Sequence, residues 1–185
     1  MDFSNSTKKK IFFESAKLFS QNSFKDVSMR DIAKAVGIKA PSIYNYYKSK
    51  DDILHELLDH YSDRISKFVV DEEEVEKCEN LNEAYNTILF NFEEDESELM
   101  YYLMRIVLKE QFWCSKAKDI VLDLSMNERM IQLNKFFSLM EKRNLINKDY
   151  IDKISEIITR ITMTFAYEDV LVKQYGLEYR WSSME

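Results

Sequence analysis

Few side chains in this sequence have the types and spacing that catalysis or metal binding requires. The two histidines, His55 and His60, lie five residues apart on a predicted helix, so they cannot form the i, i+4 pair of a metalloprotease helix. The two cysteines, Cys78 and Cys114, are isolated, which indicates neither a thiolate metal site nor a disulfide framework. We therefore expect no metal site and no cofactor.

Glycine is also too scarce for most enzymatic loops. The 185 residues contain only Gly37, Gly176 and one proline, Pro41. A Gly-rich phosphate loop or a nucleophile elbow needs glycines at spacings that these two do not have. An enzyme is accordingly not expected. The same scarcity of helix breakers predicts an all-α fold.

The chemistry that the sequence does indicate is binding of a polyanion by one end of the chain. The overall net charge of −7 argues against a nucleic-acid partner. Residues 1–50, however, contain ten Lys and Arg against four Asp and Glu, whereas the rest contains 16 against 29. Because Lys and Arg neutralise phosphates, this asymmetry is expected when one end alone contacts DNA.

Helix signals place a helix-turn-helix within this basic head. Apolar residues at helical spacing predict a first helix over residues 7–21. Ser28, followed three residues later by an aspartate, has the signature of a capping box that starts a second helix. Gly37 suits a turn at positive φ, and Pro41 suits the first turn of a short third helix over 41–47.

The remaining chain is predicted to be helical as well. Ser49 and Asp52 repeat the cap signal and start an amphipathic helix that runs to Phe68. The acidic stretch 71–79 marks a boundary. Further helices are predicted at 81–93, 97–113, 116–143 and 148–175. The predicted domains are thus a DNA-binding head at 1–50, a connecting helix at 50–68 and a C-terminal domain at 69–185.

The segment from Phe24 to Asp51 closely resembles the DNA-binding region of the TetR family of regulators. It combines the turn at Gly37, the Ile-Tyr-x-Tyr pattern of a recognition helix at 43–46 and a Lys-Ser-Lys-Asp entry to the next helix. The resemblance extends over residues 8–68 in order and without gaps. It implies a dimeric, DNA-binding transcription regulator, more often a repressor than an activator, with a C-terminal helical domain for effector binding and dimerisation.

The resemblance also implies which side chains meet DNA. A recognition helix lies in the major groove with its N-terminal residues nearest the bases. Phosphate contacts are implied for Ser28, Arg30, Ser42, Tyr44, Tyr46 and Lys50. Base contacts are expected for Lys39, Ala40 and Pro41, and Asn45 can reach either a base or a phosphate. Family members often have Ser or Thr where this chain has Lys39, so the helix cap is weakened while a positive charge is gained.

Some of these side chains have a structural alternative. Tyr47 follows Ile43 by four residues, and we expect it to pack inside the head. Tyr44 and Tyr46 could pack there too, although DNA contact is favoured for both. The lysines at 8–10 could equally form a solvated helix face or contact the DNA backbone.

Two apolar seams in the C-terminal region predict helix packing. Their members recur by four and three: Met126, Met130, Leu133 and Phe137 on one helix, and Ile154, Ile158, Ile161 and Phe165 on the next. By family precedent, such a pair meets its symmetry mate in a four-helix dimer interface, which suits a palindromic operator. The alternative is that one or both seams pack only within the subunit.

Large, soft side chains on the helices at 81–93 and 97–113 could line an effector pocket. The candidates are Phe90, Met100, Met104, Phe112 and Trp113. Such a lining suits a small apolar or aromatic effector, whose binding would change the affinity for DNA. Ordinary core packing explains the same residues.

A function of another class is an all-helical interaction or scaffold protein whose basic head docks an acidic partner or a membrane surface. A membrane-lying helix carries a basic face opposite a broad apolar one, whereas the 41–47 helix is short, tyrosine-rich and nearly uncharged. The N-terminus lacks signal-peptide features, and no apolar run approaches the length of a membrane span. We therefore expect a cytoplasmic protein with no membrane partner.

Overall fold

The computed structural model describes residues 6–67, 69–81, 83–84 and 97–176. Every regular element in these residues is helical, which confirms the predicted all-α fold. None of the described helices is both long and apolar enough to cross a membrane.

The helices are numbered in chain order. They are α1 (Ser6–Gln21), α2 (Met29–Val36), a 3-10 helix (Ala40–Asn45), α3 (Lys50–Ile65), α4 (Glu72–Lys77), α5 (Ser97–Glu110), α6 (Ser115–Asp119), α7 (Arg129–Lys142) and α8 (Ile151–Tyr175). A π-helical stretch, Ile120–Glu128, joins α6 to α7, and a 3-10 turn, Lys148–Tyr150, leads into α8. The helices predicted at 97–113, 116–143 and 148–175 are confirmed to within a few residues. Most of the helix predicted at 81–93 lies outside the described residues.

The chain divides into two compact units. The first unit contains residues 1–61 and 95–118, and the second unit contains residues 62–94 and 119–185. The predicted boundary at residue 69 assigned all later helices to one C-terminal domain. In the structure, α5 groups instead with the N-terminal helices, because it packs against α1, where Tyr102 meets Phe13 edge-to-face at 5.9 Å between ring centroids.

The core of the first unit is made by one apolar side of each N-terminal helix. Its fully buried members include Ile11, Phe19, Ile32, Ile43, Ile53 and Leu57. Tyr47 is buried as well, as its spacing from Ile43 predicts. The N-terminal helices therefore pack around a common apolar core, which fixes their positions relative to one another.

The core of the second unit is built around α7 and α8. Leu133 and Phe137 are buried in it together with Phe136 and Met140, and Ile154 and Ile158 pack against this cluster. This corrects part of the predicted dimer seam, since Leu133 and Phe137 fill the interior of their own unit. Spacing by four and three shows which residues share a helix face, but it does not show whether that face turns toward the subunit's core or toward a partner.

Candidate nucleic-acid interface

Helix α2 begins with the predicted capping box. The Ser28 hydroxyl accepts the Asp31 N–H at 3.3 Å, and the Asp31 carboxylate accepts the Ser28 N–H at 2.9 Å and the Ser28 hydroxyl at 2.5 Å. These bonds satisfy backbone donors at the helix start and fix where α2 begins. The hydroxyl hydrogen of Ser28 is thereby donated to Asp31, so the implied phosphate contact of Ser28 competes with its capping role.

Gly37 makes the sharp turn that separates α2 from the next segment. Its φ of 79° lies in the left-handed region, where side chains other than glycine are strained. The Gly37 N–H donates to the Lys34 carbonyl, and the Ile38 N–H donates to the Ala33 carbonyl, which satisfies the free carbonyls at the end of α2. The predicted turn is confirmed.

The segment after this turn has one buried side and one exposed side. It is a 3-10 helix, Ala40–Asn45, with Pro41 in its first turn. Ile43 is fully buried, whereas the Tyr44 residue is 56% exposed. We call the exposed residues of this segment the recognition face: Lys39, Pro41, Tyr44 and Asn45. The neighbouring residues Ala40, Ser42 and Tyr46 are half-buried. Lys39 occupies the cap position without a side-chain cap bond, as predicted.

Exposed cations accompany the recognition face along the chain. Arg30 and Lys34 lie on α2, Lys39 lies before the 3-10 helix, and Lys48 follows it, and all four are exposed. An exposed cation can neutralise a phosphate without disturbing the core. The local charge therefore favours an anionic partner for this part of the chain.

Lys50 has a different place from the one implied by the resemblance. Its Nζ donates to the carbonyls of Phe24 at 2.7 Å, Lys25 at 3.3 Å and Val27 at 3.0 Å, and it lies 4.4 Å from the centroid of the Phe24 ring. An ammonium has three N–H donors, and these bonds use all three. Lys50 therefore stabilises the turn between α1 and α2, and the phosphate contact implied by the resemblance competes with these bonds.

A second lysine secures the same turn, and sequence reasoning missed it. Lys109, near the end of α5, donates to the carbonyls of Phe19 at 3.2 Å, Ser20 at 3.3 Å and Asn22 at 2.7 Å. Carbonyls at a helix C-terminus lack partners within the helix, so this ammonium caps α1. Burial lowers the pKa of Lys109, and the positive charge of Arg105 lowers it further. No local pattern links Lys109 to acceptors that lie nearly 90 residues upstream.

The first lysine of α1 is tied into the head as well. Lys8 forms an ion pair with Glu56 at 3.0 Å, and its Nζ lies 5.2 Å from the centroid of the Tyr47 ring. Burial raises the pKa of Tyr47, and the negative charge of Glu56 adds to the increase. Of the two alternatives for Lys8–Lys10, Lys8 thus has an internal partner, whereas Lys10 is exposed.

The residues predicted to line an effector pocket are divided by the structure. Met100 is buried and Met104 is half-buried on α5, and Phe90 lies outside the described residues. Phe112 and Trp113 are 75% and 78% exposed, and the Lys25 ammonium lies 4.9 Å from the centroid of the Trp113 ring. Phe112 and Trp113 therefore do not line an enclosed pocket, because the end of α5 turns them toward solvent.

The capping box makes the stability of the first unit depend on pH. The hydrogen bonds from Ser28 hold the pKa of Asp31 below its ordinary value of 3.8. A carboxyl with a depressed folded pKa stabilises the fold above its unfolded pKa, and that stabilisation is lost as the pH falls through the folded pKa. We expect Asp31→Asn to lower the midpoint of urea unfolding at pH 7 and to have a shrinking effect below about pH 4. An Asp63→Asn control on α3 should show no such trend, and a pH-independent effect of Asp31→Asn would contradict this reading.

Two comparisons by sequence concern the helix-turn-helix. Residues 11–57 match the family model of bacterial regulatory proteins of the tetR family. Over 50 residues the chain is 36% identical to the HTH-type transcriptional repressor ComR of Escherichia coli (strain K12). That alignment covers 27% of this chain and 24% of ComR, so the chain matches about a quarter of the length of this relative.

Comparison with solved structures concerns the whole fold. Salmonella enterica GusR has a TM-score of 0.58 at 15% identity, over 95% of this chain and 88% of GusR. A Mesorhizobium loti protein titled a TetR-family transcriptional regulator has a TM-score of 0.57 at 12% identity, over 97% of this chain and 89% of its own. At these identities the likeness concerns the fold alone.

The capping box, the left-handed glycine and the half-exposed 3-10 helix all lie within the segment that matches the family model. The helical fold agrees with the solved structures over nearly the whole chain. Residues 11–57 therefore form a DNA-binding domain of the kind found in the tetR family of bacterial regulatory proteins, and the chain shares its fold with these solved structures.

Proposed function

We propose that the chain is a ligand-responsive transcriptional repressor that acts in the cytoplasm as a homodimer on a palindromic double-stranded DNA operator. The observation that carries this proposal is the recognition face, which presents donors and acceptors on a segment whose other side is locked by Ile43 and Tyr47. A reading element must expose its polar groups and hold them still, because base recognition depends on fixed hydrogen-bond geometry.

The proposed contacts are those whose side chains remain available in the structure. Arg30 and the hydroxyls of Ser42, Tyr44 and Tyr46 bind phosphates and so position the head. Lys39 donates to guanine O6 and N7, and Asn45 reaches a base or a phosphate. Ala40 and Pro41 offer apolar contact to a thymine methyl. Repression, rather than activation, is supported by the relative ComR, which is a transcriptional repressor.

The homodimer is proposed from an apolar face of α8. Ile157, Ile161, Phe165 and Leu171 are each about half exposed, and we call them the α8 apolar face. A row of large apolar side chains left in water marks an interaction surface. Of the residues in the predicted seam, Ile161 and Phe165 belong to this face. Ile154 and Ile158 pack inward, and Ile157, which the seam did not include, is exposed. Met126 in the π-helical stretch and Met130 on α7 remain partly exposed candidates.

An interaction or scaffold role is not favoured. The exposed residues of the 3-10 helix are polar, apart from Pro41, and form no broad apolar face of the kind that binds a membrane surface. The scaffold hypothesis uses the basic head for docking, and residues 11–57 of that region match a family model of regulatory proteins instead.

The proposal is tested by the affinity of the protein for the DNA upstream of its own gene, measured by fluorescence anisotropy at several salt concentrations. We expect Tyr44→Phe and Lys39→Ala each to weaken binding about tenfold, as loss of a hydrogen bond with a charged or base partner does. A lost phosphate contact also lowers the salt slope by about one, whereas a lost base contact relaxes sequence preference instead.

Matched controls lie in the second unit. Tyr150, which is 55% exposed, is the control for Tyr44, and the exposed Lys142 is the control for Lys39. Tyr150→Phe and Lys142→Ala should leave the affinity unchanged. Unchanged affinity in both head variants would contradict the proposed recognition face.

A further inference from the structure

Arg105 is a buried cation with an unsatisfied donor. It lies on α5 in the first unit and is only 5% exposed. Its Nη1 donates to the Tyr101 hydroxyl at 3.2 Å, and its guanidinium lies 5.7 Å from the centroid of the Tyr101 ring. Its Nε is buried and has no hydrogen-bond partner in the part of the chain that the structure describes. A buried guanidinium is costly unless its charge and its donors find partners.

The carboxylates nearest to Arg105 along α5 have other partners. Glu98 accepts the Tyr102 hydroxyl at 2.5 Å and precedes Arg105 by seven residues, about 10 Å along the helix axis. Burial raises the pKa of Glu110, at the end of α5, and the positive charges of Lys109, Lys25 and Lys50 oppose that increase. In the described residues, no ion pair to Arg105 is formed. Lys109 lies one helical turn from Arg105. Burial lowers the pKa of Lys109, and the positive charge of Arg105 lowers it further.

A buried charge without a counter-ion is strongly unfavourable, so binding of an anion next to such a charge stabilises the folded protein. We propose that Arg105 and Tyr101 form the binding site for the carboxylate of a small monocarboxylic acid with an apolar body. The planar guanidinium matches a carboxylate with two parallel hydrogen bonds, and the Tyr101 hydroxyl is a third polar group at the same point.

The charge and the surroundings select this class of ligand. One negative charge cancels the single charge of Arg105, whereas a dianionic phosphate would leave a surplus buried charge. Tyr102 and Leu108, which lie three residues before and after Arg105 and so share its side of α5, are buried, and their largely apolar surface suits a hydrocarbon body. The effector expected from the sequence was simply apolar or aromatic, and Arg105 adds a charged end to it. The identification of this acid as the effector rests on the proposed function, whereas its binding does not.

The site is tested on the full-length protein without DNA, by thermal unfolding and isothermal titration calorimetry. The probes are straight-chain monocarboxylates from acetate to decanoate and phenylacetate, each compared with its neutral amide. We expect at least one acid to raise the Tm and to bind at least tenfold more tightly than its amide, as a charge-assisted hydrogen bond requires. Arg105→Met should abolish this preference, and Arg105→Lys, which keeps the charge but loses the planar fork, should weaken it. An Arg160→Met control on the exposed side of α8 should retain it.

The unliganded variant gives a second readout that does not depend on the choice of acid. If Arg105 is an uncompensated buried charge, Arg105→Met should raise the Tm of the free protein by roughly 3 °C. The site is overturned if no acid binds better than its amide, if Arg105→Met keeps the preference, or if Arg105→Met lowers the Tm as loss of a structural contact would. Failure of operator binding with the acid preference intact would refute the proposed regulator and leave the carboxylate site standing.

Discussion

Ile161→Glu is expected to convert the protein from a dimer into a monomer and to weaken operator binding at least about a hundredfold. Ile161 is near the middle of the α8 apolar face, and in a twofold interface the substitution places a carboxylate on both copies. Two desolvated negative charges without partners cost more than the apolar contact of one helix pair provides. When one head of a dimer is bound, the second head is present at a high effective concentration near the other half-site, which raises the affinity for a palindrome. A monomer loses this increase in affinity.

The assembly state is measured by sedimentation equilibrium, and the DNA affinity by anisotropy on the same preparation. Leu145→Glu, in the turn after α7, is the matched control because it places the same charge on an exposed leucine outside the α8 apolar face. The control should remain dimeric with unchanged affinity. If Ile161→Glu also remained dimeric, the α8 apolar face would not be the interface.

Lys50→Met is expected to lower the free energy of unfolding by about 2 kcal/mol, the usual contribution of hydrogen bonds to a charged group. The substitution keeps the alkyl stem but leaves the carbonyls of Phe24, Lys25 and Val27 without their donor. The turn that precedes α2 is then no longer fixed. Operator binding should weaken through this loss of order, while the salt slope of the remaining binding stays the same because no phosphate contact is removed.

Lys48→Met is the control for this prediction. Lys48 lies two residues before Lys50 and is exposed, so Lys48→Met should leave the free energy of unfolding nearly unchanged. Urea unfolding and a salt titration of DNA affinity separate the two possible roles of Lys50. Unchanged stability together with a salt slope lowered by about one would restore the phosphate contact implied by the family resemblance.

The sequence predicted those features that depend on neighbouring residues. The capping boxes at Ser28 and Ser49 require only a partner three residues away, and both are formed. The turn at Gly37 and the inward position of Tyr47 follow from local φ preference and from helical spacing. Local patterns therefore indicated the helix-turn-helix and its orientation.

The features that the sequence could not predict depend on distant parts of the chain. Lys50 and Lys109 bind backbone carbonyls, and every residue has a carbonyl, so no residue type signals these bonds. The buried position of Arg105 depends on the packing of α5 with the N-terminal helices, which the predicted domain boundary did not anticipate. The division of the predicted seam between Leu133 and Ile161 likewise depends on which helix faces meet in the second unit.

The central claim is that this chain reads a DNA sequence through its recognition face. The most direct measurement is the ratio of its affinities for its own upstream region and for a shuffled duplex of the same composition, at about 150 mM salt. A specific regulator should prefer the upstream region by at least about a thousandfold, with two protomers bound to each site. Equal affinity for the two duplexes would contradict the claim and leave only non-specific attraction between a basic head and phosphates.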